Sequence, residues 1–432
     1  MNPNTSSLMV NFCLKTYKGQ LLRLATMKYL IFLVIIVFLC LTNCNKRNDC
    51  TRCLDVINLE NAFDNAKEIF LSDFVEDIEY VILEPEKPID KNLTVYSNDA
   101  YLICIAVEQI YLFDRKTGAF IREIGRVGRG PGEYKNGQYF DNETKRIIVT
   151  TYGMNFGEYD LNGKMTRTIT QPKRKYGTAI EESGVDAFIN SNWILSQSRF
   201  LDDNTIVYCN SNLAGNAQER LLIANEYGTV LTIFNNPYSF VRKPKTVNVI
   251  NPILYRHGKN ILYFENCIDT IYKVTKDSLI PHFRLEMGRY KAPYEKRGDW
   301  SALSQFFMFT RMEESDRFLF FDFSYTLKPT ETASGSFFGY YDKKRKIVKI
   351  SDAESKKRKH IVNDIDQFGA IQFARWTIND EQNEMISYIE AIDVVEWFEH
   401  NKRQAKEVPE HLQKLSTLQY NDNPLIVIAK LK

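Results

Sequence analysis

Histidine is scarce in this chain and its charge is balanced. The five histidines, His257, His282, His360, His400 and His411, are scattered over 432 residues, and none stands in a His-Glu-x-x-His pair. The helix-borne zinc site of metallopeptidases is therefore missing. No Gly-x-Ser-x-Gly or Ser-x-x-Lys occurs, which removes two serine-hydrolase signatures, and no Gly-Lys-Ser or Gly-Lys-Thr occurs, which removes the P-loop. Lys plus Arg number 56 against 54 for Asp plus Glu, a formal charge of +2. So small a charge gives no whole-molecule attraction to nucleic acid, and none is expected as a partner. The long apolar run, Tyr29 to Leu41, is shorter than the roughly 20 residues a membrane span needs.

That run does have the anatomy of a secretory signal, with Met27-Lys28 before it and Thr42-Asn43-Cys44 after it. The Leu41-Thr42-Asn43-Cys44 ending resembles the lipobox of bacterial lipoproteins, in which the cysteine is lipidated and becomes the mature N-terminus; Asn43 stands where a small residue is usual. On this reading residues 27–43 are a lipoprotein signal, Cys44 carries lipid, and 44–55 form a polar tether. Residues 1–26 are either a start assigned upstream of Met27 or an extended basic n-region. Of the eight cysteines, Cys50 and Cys53 lie in the tether with C-x-x-C spacing, without the strand-to-helix context of a redox site or a second pair for zinc. They read as a local disulfide or as plain thiols. Cys104, Cys209 and Cys267 sit in apolar strand-like runs and read as small buried hydrophobes.

What the chain has in abundance is apolar and aromatic residues, 44% and 13%, enough for a large core. They recur in one grammar: an apolar run, a second run, a turn with an acidic residue, and a third run. Ile110 to Phe113 and Ala119 to Ile124 flank Asp-Arg-Lys-Thr-Gly as a β-hairpin. Equivalent hairpins are marked by Asp160, Glu226, Asp277 and Asp342, at intervals of 46 to 66 residues. A four-stranded propeller blade takes about 40 to 50 residues, so the longer intervals hold insertions, assigned to Gly177–Asn192 and to a short helical stretch within Pro293–Ser315.

A sixth unit is expected from Ile371–Ile378 with Asn423–Leu431, and Glu381–Gln404 has apolar residues at largely helical spacing, read as a helix on the outside or top of the ring. The last strand is expected to pair with Ile78–Leu83 and close the circle. The fold class is thus all-β, a six-bladed β-propeller of four-stranded antiparallel blades over residues 56–432, with short helical insertions near the C-terminus. An all-β sandwich pair is the alternative architecture, and it leaves five similar hairpins unexplained.

After the first hairpin comes a glycine loop, Gly125, Gly128, Gly130, Pro131, Gly132, Glu133 and Tyr134. Backbone N–H groups of such a loop can cradle an anion. Here the loop leads toward a strand, so it reads as an inter-blade crossover in which the glycines allow positive φ, Pro131 stiffens the turn and Glu133 accepts backbone N–H bonds. Lys343, Lys344, Arg345 and Lys346, with Lys356, Lys357 and Arg358, form two basic clusters. They read as solvated turns or as a contact for anionic lipid or glycan. Acidic pairs such as Asp202-Asp203 and Glu313-Glu314 read as solvated loop charge.

Phe113-Asp114, Gly118, Phe120-Ile121, Gly125 and Gly128-Arg-Gly-Pro-Gly-Glu-Tyr134, together with Asp269-Thr-Ile-Tyr272, Leu285-Glu-Met-Gly288 and Asp422-Asn-Pro424, carry a resemblance over about Leu54 to Lys432. The chain resembles the six-bladed β-propeller lipoproteins of Bacteroidetes, related in fold to the NHL and YWTD propellers. That resemblance implies a cell-envelope protein anchored by lipid at the outer membrane, and it brings no catalytic residues with it. The expected function is a binding or scaffolding module, monomeric, with no cofactor and an unknown protein or glycan partner. The competing class is a metal-dependent hydrolase or lyase working in the central channel.

Overall fold

The computed structural model describes residues 54–89, 92–153, 155–172, 195–242, 249–326, 335–351, 361–369, 375–402 and 408–432. Residues 55–432 form one compact unit. Cys44, Cys50, Cys53, Gly177–Asn192, Lys356, Lys357 and Arg358 lie outside the described residues.

Six four-stranded antiparallel sheets follow one another along the chain. Blade 1 is Thr94–Ser97, Tyr101–Ile105, Ile110–Asp114 and Phe120–Glu123; blade 2 is Asn136–Asp141, Arg146–Thr150, Phe156–Tyr159 and Met165–Ile169. Blade 3 is Leu195–Asp202, Thr205–Asn210, Glu219–Asn225 and Val230–Asn235; blade 4 is Ile253–His257, Asn260–Phe264, Thr270–Val274 and Leu279–Glu286. Blade 5 is Met308–Glu314, Phe318–Tyr325, Gly335–Asp342 and Ile347–Ile350; blade 6 is Trp376–Asn379, Glu384–Ile389, Leu425–Leu431 and, from the start of the domain, Val75–Ile82. The last strand pairs antiparallel with Val75–Ile82, Val427 opposite Tyr80, so the two ends of the domain meet in one sheet.

The second strand of each blade explains why the ring holds. Tyr101–Ile105, Arg146–Thr150 and Asn260–Phe264 are apolar on both faces because each face of a blade packs on a neighbour. Leu102 and Cys104 join a core with blade 6, while Ile103 and Ile105 join one with blade 2. The same division continues between blades 2 and 3, 3 and 4, 4 and 5, and 5 and 6. Cys104, Cys209 and Cys267 are buried free thiols, and burial pushes all three above the ordinary thiol value, Cys267 to about 12.

Before it reaches blade 6 the chain wraps the outside of the ring. Asp55–Asn58 adds a fifth, parallel strand to the outer edge of blade 4, with Asp55 opposite Phe283. A short helix, Leu59–Asp64, is capped by the Asn58 side chain, which accepts from Asn61 N at 2.8 Å. Ile69–Phe70 then pairs with Ile361–Val362.

The expected pairing of the last strand with Ile78–Leu83 thus closes the ring, the strand running Val75–Ile82. One expectation is corrected. Glu381–Gln404 is a strand, Glu384–Ile389, followed by a helix, Ala391–His400, which buries Ala391 and Val394 and packs Trp397 on Phe368. A short run buried on both faces shows no alternation, so its apolar spacing passes for helical.

Candidate functional site

The glycine loop joins blade 1 to blade 2. Gly125 has φ +60°, and a Cβ there would lie 2.7 Å from the Tyr159 ring, so no side chain fits. Glu133 accepts from Gly130 N at 2.7 Å and from Arg126 Nε at 2.7 Å; these donors, the backbone N–H first, hold its carboxyl below the ordinary value. Gly128 N donates to Tyr134 O at 3.0 Å, and the Tyr159 hydroxyl donates to Gly132 O. Among the described residues the loop's polar groups are thus largely turned on one another.

The basic turn of blade 5 is also partly spoken for. Lys343 reaches Glu314 Oε1 at 2.8 Å, Arg345 lies 3.8 Å from Asp342, Lys346 pairs with Asp55, and Lys344 is exposed. Asp342 Oδ1 accepts from Lys344 N and Arg345 N, both at 2.9 Å, as Asp114 does from Lys116 N and Thr117 N in blade 1. In blade 3 that capping role falls to Asn225, while Glu226 pairs with Arg167 at 3.1 Å.

Chemistry converges instead on the axis. The first strand of each blade is the innermost, and all six contribute to one cavity with about 690 Å³ of atom-free space, its mouth included. Tyr96 comes from blade 1, Tyr139 and Asp141 from blade 2, Arg199 from blade 3, Tyr255 and Arg256 from blade 4, Glu313 from blade 5, and Thr377 from blade 6, with Asp380 in the turn beyond it. Strand pleating sends alternate side chains to one face. On an innermost strand, polar and aromatic side chains therefore reach the channel between residues that pack on neighbouring blades.

Three contacts tie alternate blades together across this end. Arg256 Nη2 meets Asp141 Oδ2 at 3.2 Å, Gly258 N donates to Asp380 Oδ2 at 2.8 Å, and Lys145 Nζ meets Glu381 at 2.5 Å. Blades 4 and 2, 4 and 6, and 2 and 6 are joined in turn. Arg199 lies over the Tyr139 ring, 4.2 Å from its centroid, and donates to Ser198 O at 2.9 Å.

Among the described residues, the Tyr139 hydroxyl, Asn142 Oδ1 and Asp380 Oδ1 in the cavity are buried without a hydrogen bond. Among the described residues none donates to the Glu313 carboxylate, which faces the cavity and is enclosed by protein on its other sides. Burial raises Glu313 to about 7, against the pull of Arg311 and Arg199 and with a push from Asp380. Burial likewise raises Asp380 to about 6, against the Gly258 N–H and His257, with Asp316 and Glu314 adding to the rise.

Beside it, Glu314 is fully buried yet satisfied. His282 Nε2 lies 3.1 Å away, Lys343 Nζ 2.8 Å and the Tyr255 hydroxyl 3.4 Å. Burial would raise this carboxyl, but His282, Lys343 and His257 outweigh it and hold it low. The solvated-loop reading of Glu313-Glu314 is therefore corrected: both end an innermost strand, one facing the cavity and one buried. Asp202 closes the innermost strand of blade 3 and is exposed, accepting from Asn204 N and Thr205 N and pairing with Lys276 at 2.8 Å, and Asp203 lies exposed in the turn that follows. His257 and His282, distant in sequence, meet at Glu314. Among the described residues no three His, Cys, Asp or Glu side chains form a metal-ligand set, and no helix is long and apolar enough to cross a membrane.

The crystal structure of a protein described as exported, from Bacteroides fragilis NCTC 9343, is similar to this chain with a TM-score of 0.61 and 15% identity, covering 88% of this chain and 99% of that one. At that identity the likeness establishes the fold alone. The β-propeller domain of Cps50 (Swd1) from Myceliophteria thermophila is similar with a TM-score of 0.40 and 9% identity, covering 82% of this chain and 100% of that one. No curated protein matches the sequence. Residues 54–430 match the family described as Domain of unknown function (DUF4934), and the chain belongs to that family.

Proposed function

We propose that this chain is a binding module of the cell envelope, held at the outer membrane by lipid on Cys44, that takes a small hydroxyl-rich ligand of about one sugar unit into its channel. The observation that carries the reading is that Asp380 Oδ1 and the Tyr139 hydroxyl are buried without a hydrogen bond among the described residues, in a cavity that the partly exposed Glu313 carboxylate also faces, beside the rings of Tyr96 and Tyr255. Leaving a buried polar atom unsatisfied costs about 1–3 kcal/mol. A ligand that supplies hydroxyl donors to the two carboxylates and an acceptor to Tyr139 relieves that cost, and aromatic faces suit the apolar side of a sugar ring.

Titration of neutral mono- and disaccharides followed by calorimetry tests the ligand class. Binding that weakens at least about tenfold in Glu313→Ala and in Tyr139→Phe supports it. A panel that gives no heat, or binding unchanged in both variants, refutes it. Cys44→Ala tests the anchor: the variant is expected in the soluble fraction, and one that still sediments with membranes removes the lipid from the reading.

The enzymatic reading, a hydrolase or lyase in the same channel, has one observation in its favour. Glu313 at about 7 and Asp380 at about 6 are poised for proton transfer near neutral pH. Glu313 also makes a prediction that needs no ligand. Its folded value lies above that of an unfolded glutamate, so the native state holds the proton more tightly, and stability falls as pH rises from the ordinary glutamate range through about 7. Arg311, Arg199 and Asp380 are the charged groups that act on it. Glu313→Gln is expected to flatten that part of the thermal-stability profile. A profile superimposable on that of the unaltered chain would show that Glu313 ionises as freely in the channel as in water.

A further inference from the structure

We infer that the outer edge of blade 3 is an interface for a second copy of this chain, the strand Val230–Asn235 pairing antiparallel with its twin about a two-fold axis. Exposed sheet edges recruit other strands, and proteins guard them with charge or cover. Here the other edges are guarded. The outer strand of blade 1 carries Arg122 and Glu123, that of blade 2 Arg167, that of blade 5 Lys349, and that of blade 6 Glu76, Asp77 and Glu79. Blade 4 is covered by the chain's own Asp55–Asn58.

Val230-Leu-Thr-Ile-Phe-Asn235 has no charge and, among the described residues, no strand on its outer side. Leu231 is 53% exposed and Ile233 48%, and the turn before the strand and the segment after it add Tyr227 at 75% and Val241 at 89%. Two apolar side chains this exposed at alternate positions of one uncharged edge strand mark an interaction surface more than a solvated one.

Two features choose the occupant. Blade 4 shows that the outer edge of a blade in this protein takes a fifth strand of only four residues. The strand that fits an uncharged, alternating edge is another of the same kind, and Val230–Asn235 laid antiparallel on itself places no charge opposite a like charge. An isologous pairing also closes at two copies, whereas a head-to-tail addition would propagate. The outcome is a sheet of eight strands shared by two rings, against the monomer expected from sequence.

Sedimentation of the full chain in detergent over a wide concentration range tests this, with hydrogen exchange locating the contact. The expected result is a reversible dimer, with the amides of Val230–Asn235 more protected at high concentration. Leu231→Lys with Ile233→Lys is expected to raise the dissociation constant at least about tenfold, while Thr168→Lys, on the outer strand of blade 2, leaves it unchanged. Circular dichroism of each variant confirms that the propeller is intact. A chain that stays monomeric at every concentration, a dimer that survives the double substitution, or protection appearing on another blade overturns the proposal. A chain that stays monomeric until an apolar peptide strand protects the same amides assigns the edge to a different partner, and overturns it equally.

Discussion

Removal of Leu425–Lys432 is expected to leave no folded propeller. The strand Leu425–Leu431 is the third of blade 6, between Glu384–Ile389 and Val75–Ile82, and bonds to both. Leu425, Ile426, Val427, Ile428 and Leu431 are all buried to within 2% of completely, Leu425, Val427 and Leu431 facing blade 5 or the helix and Ile426 and Ile428 facing blade 1. At about 1.5–3 kcal/mol for each large apolar side chain, the loss is on the order of 10 kcal/mol, which matches or exceeds the whole stability of an ordinary domain. The damage also spreads, because Val75–Ile82 would then hang from the ring with no partner strand. Far-UV circular dichroism and limited proteolysis of the truncated chain measure this: native strand content with protease resistance would show that the ring holds without closing, and partial recovery on adding a peptide of residues 425–432 would show that the strand acts through pairing.

The propeller was legible in the sequence because its second and third strands are buried on both faces and must be apolar. Ile261-Leu-Tyr-Phe264 and Leu221-Leu-Ile-Ala224 are buried at every position, which only apolar residues that pack on two neighbours allow. The cavity was not legible, and the reason is the same rule seen from inside. Each innermost strand turns one row of side chains to the axis, so Arg311-Met312-Glu313-Glu314 or Ser198-Arg199-Phe200 mixes polar with apolar and blends into loop text. Glu313 gains its meaning from Arg199, 114 positions away in the chain, and from Asp380, and only ring closure brings them together. One signal was present. A polar residue closes each innermost strand, Ser97, Asp141, Asp202, His257, Glu314 and Asn379, just before the visible second strand. That signal marks where the innermost strands end, but of these six residues only Asp141 itself lines the cavity. The glycine loop drew notice because it is unusual as a string, yet its unusual residues serve a tight turn against Tyr159.

Glu265→Ala is expected to destabilise the protein by about 3–5 kcal/mol, the usual result of removing one partner from a buried ion pair. Glu265 follows the second strand of blade 4 and is 2% exposed; Arg297, in the segment between blades 4 and 5, is 1% exposed and bonds to Glu265 Oε1, while Arg220 of blade 3 meets Oε2 at 3.1 Å. The hydroxyls of Tyr263 and Tyr294 donate to the same carboxylate at 2.8 and 2.9 Å, and Arg297 Nη2 also donates to Ser211 O and Ile250 O at 3.0 and 2.8 Å. One carboxylate thus holds together blade 3, blade 4 and the segment leading to blade 5. Burial alone would raise its pKa, but Arg297 and Arg220 outweigh burial and hold it below the ordinary glutamate value. A depressed carboxyl contributes stability that is present above the unfolded value and is lost as pH falls through the folded one. The unaltered chain should therefore lose stability on acidification through the glutamate range, and Glu265→Ala should lose less there because the contribution is already gone. The double variant Glu265→Ala, Arg297→Met separates the pair from its surroundings. With one of the two uncompensated guanidiniums removed and Arg220 left, it should be more stable than Glu265→Ala alone, and urea unfolding of the two would show additive losses only if the two residues act independently.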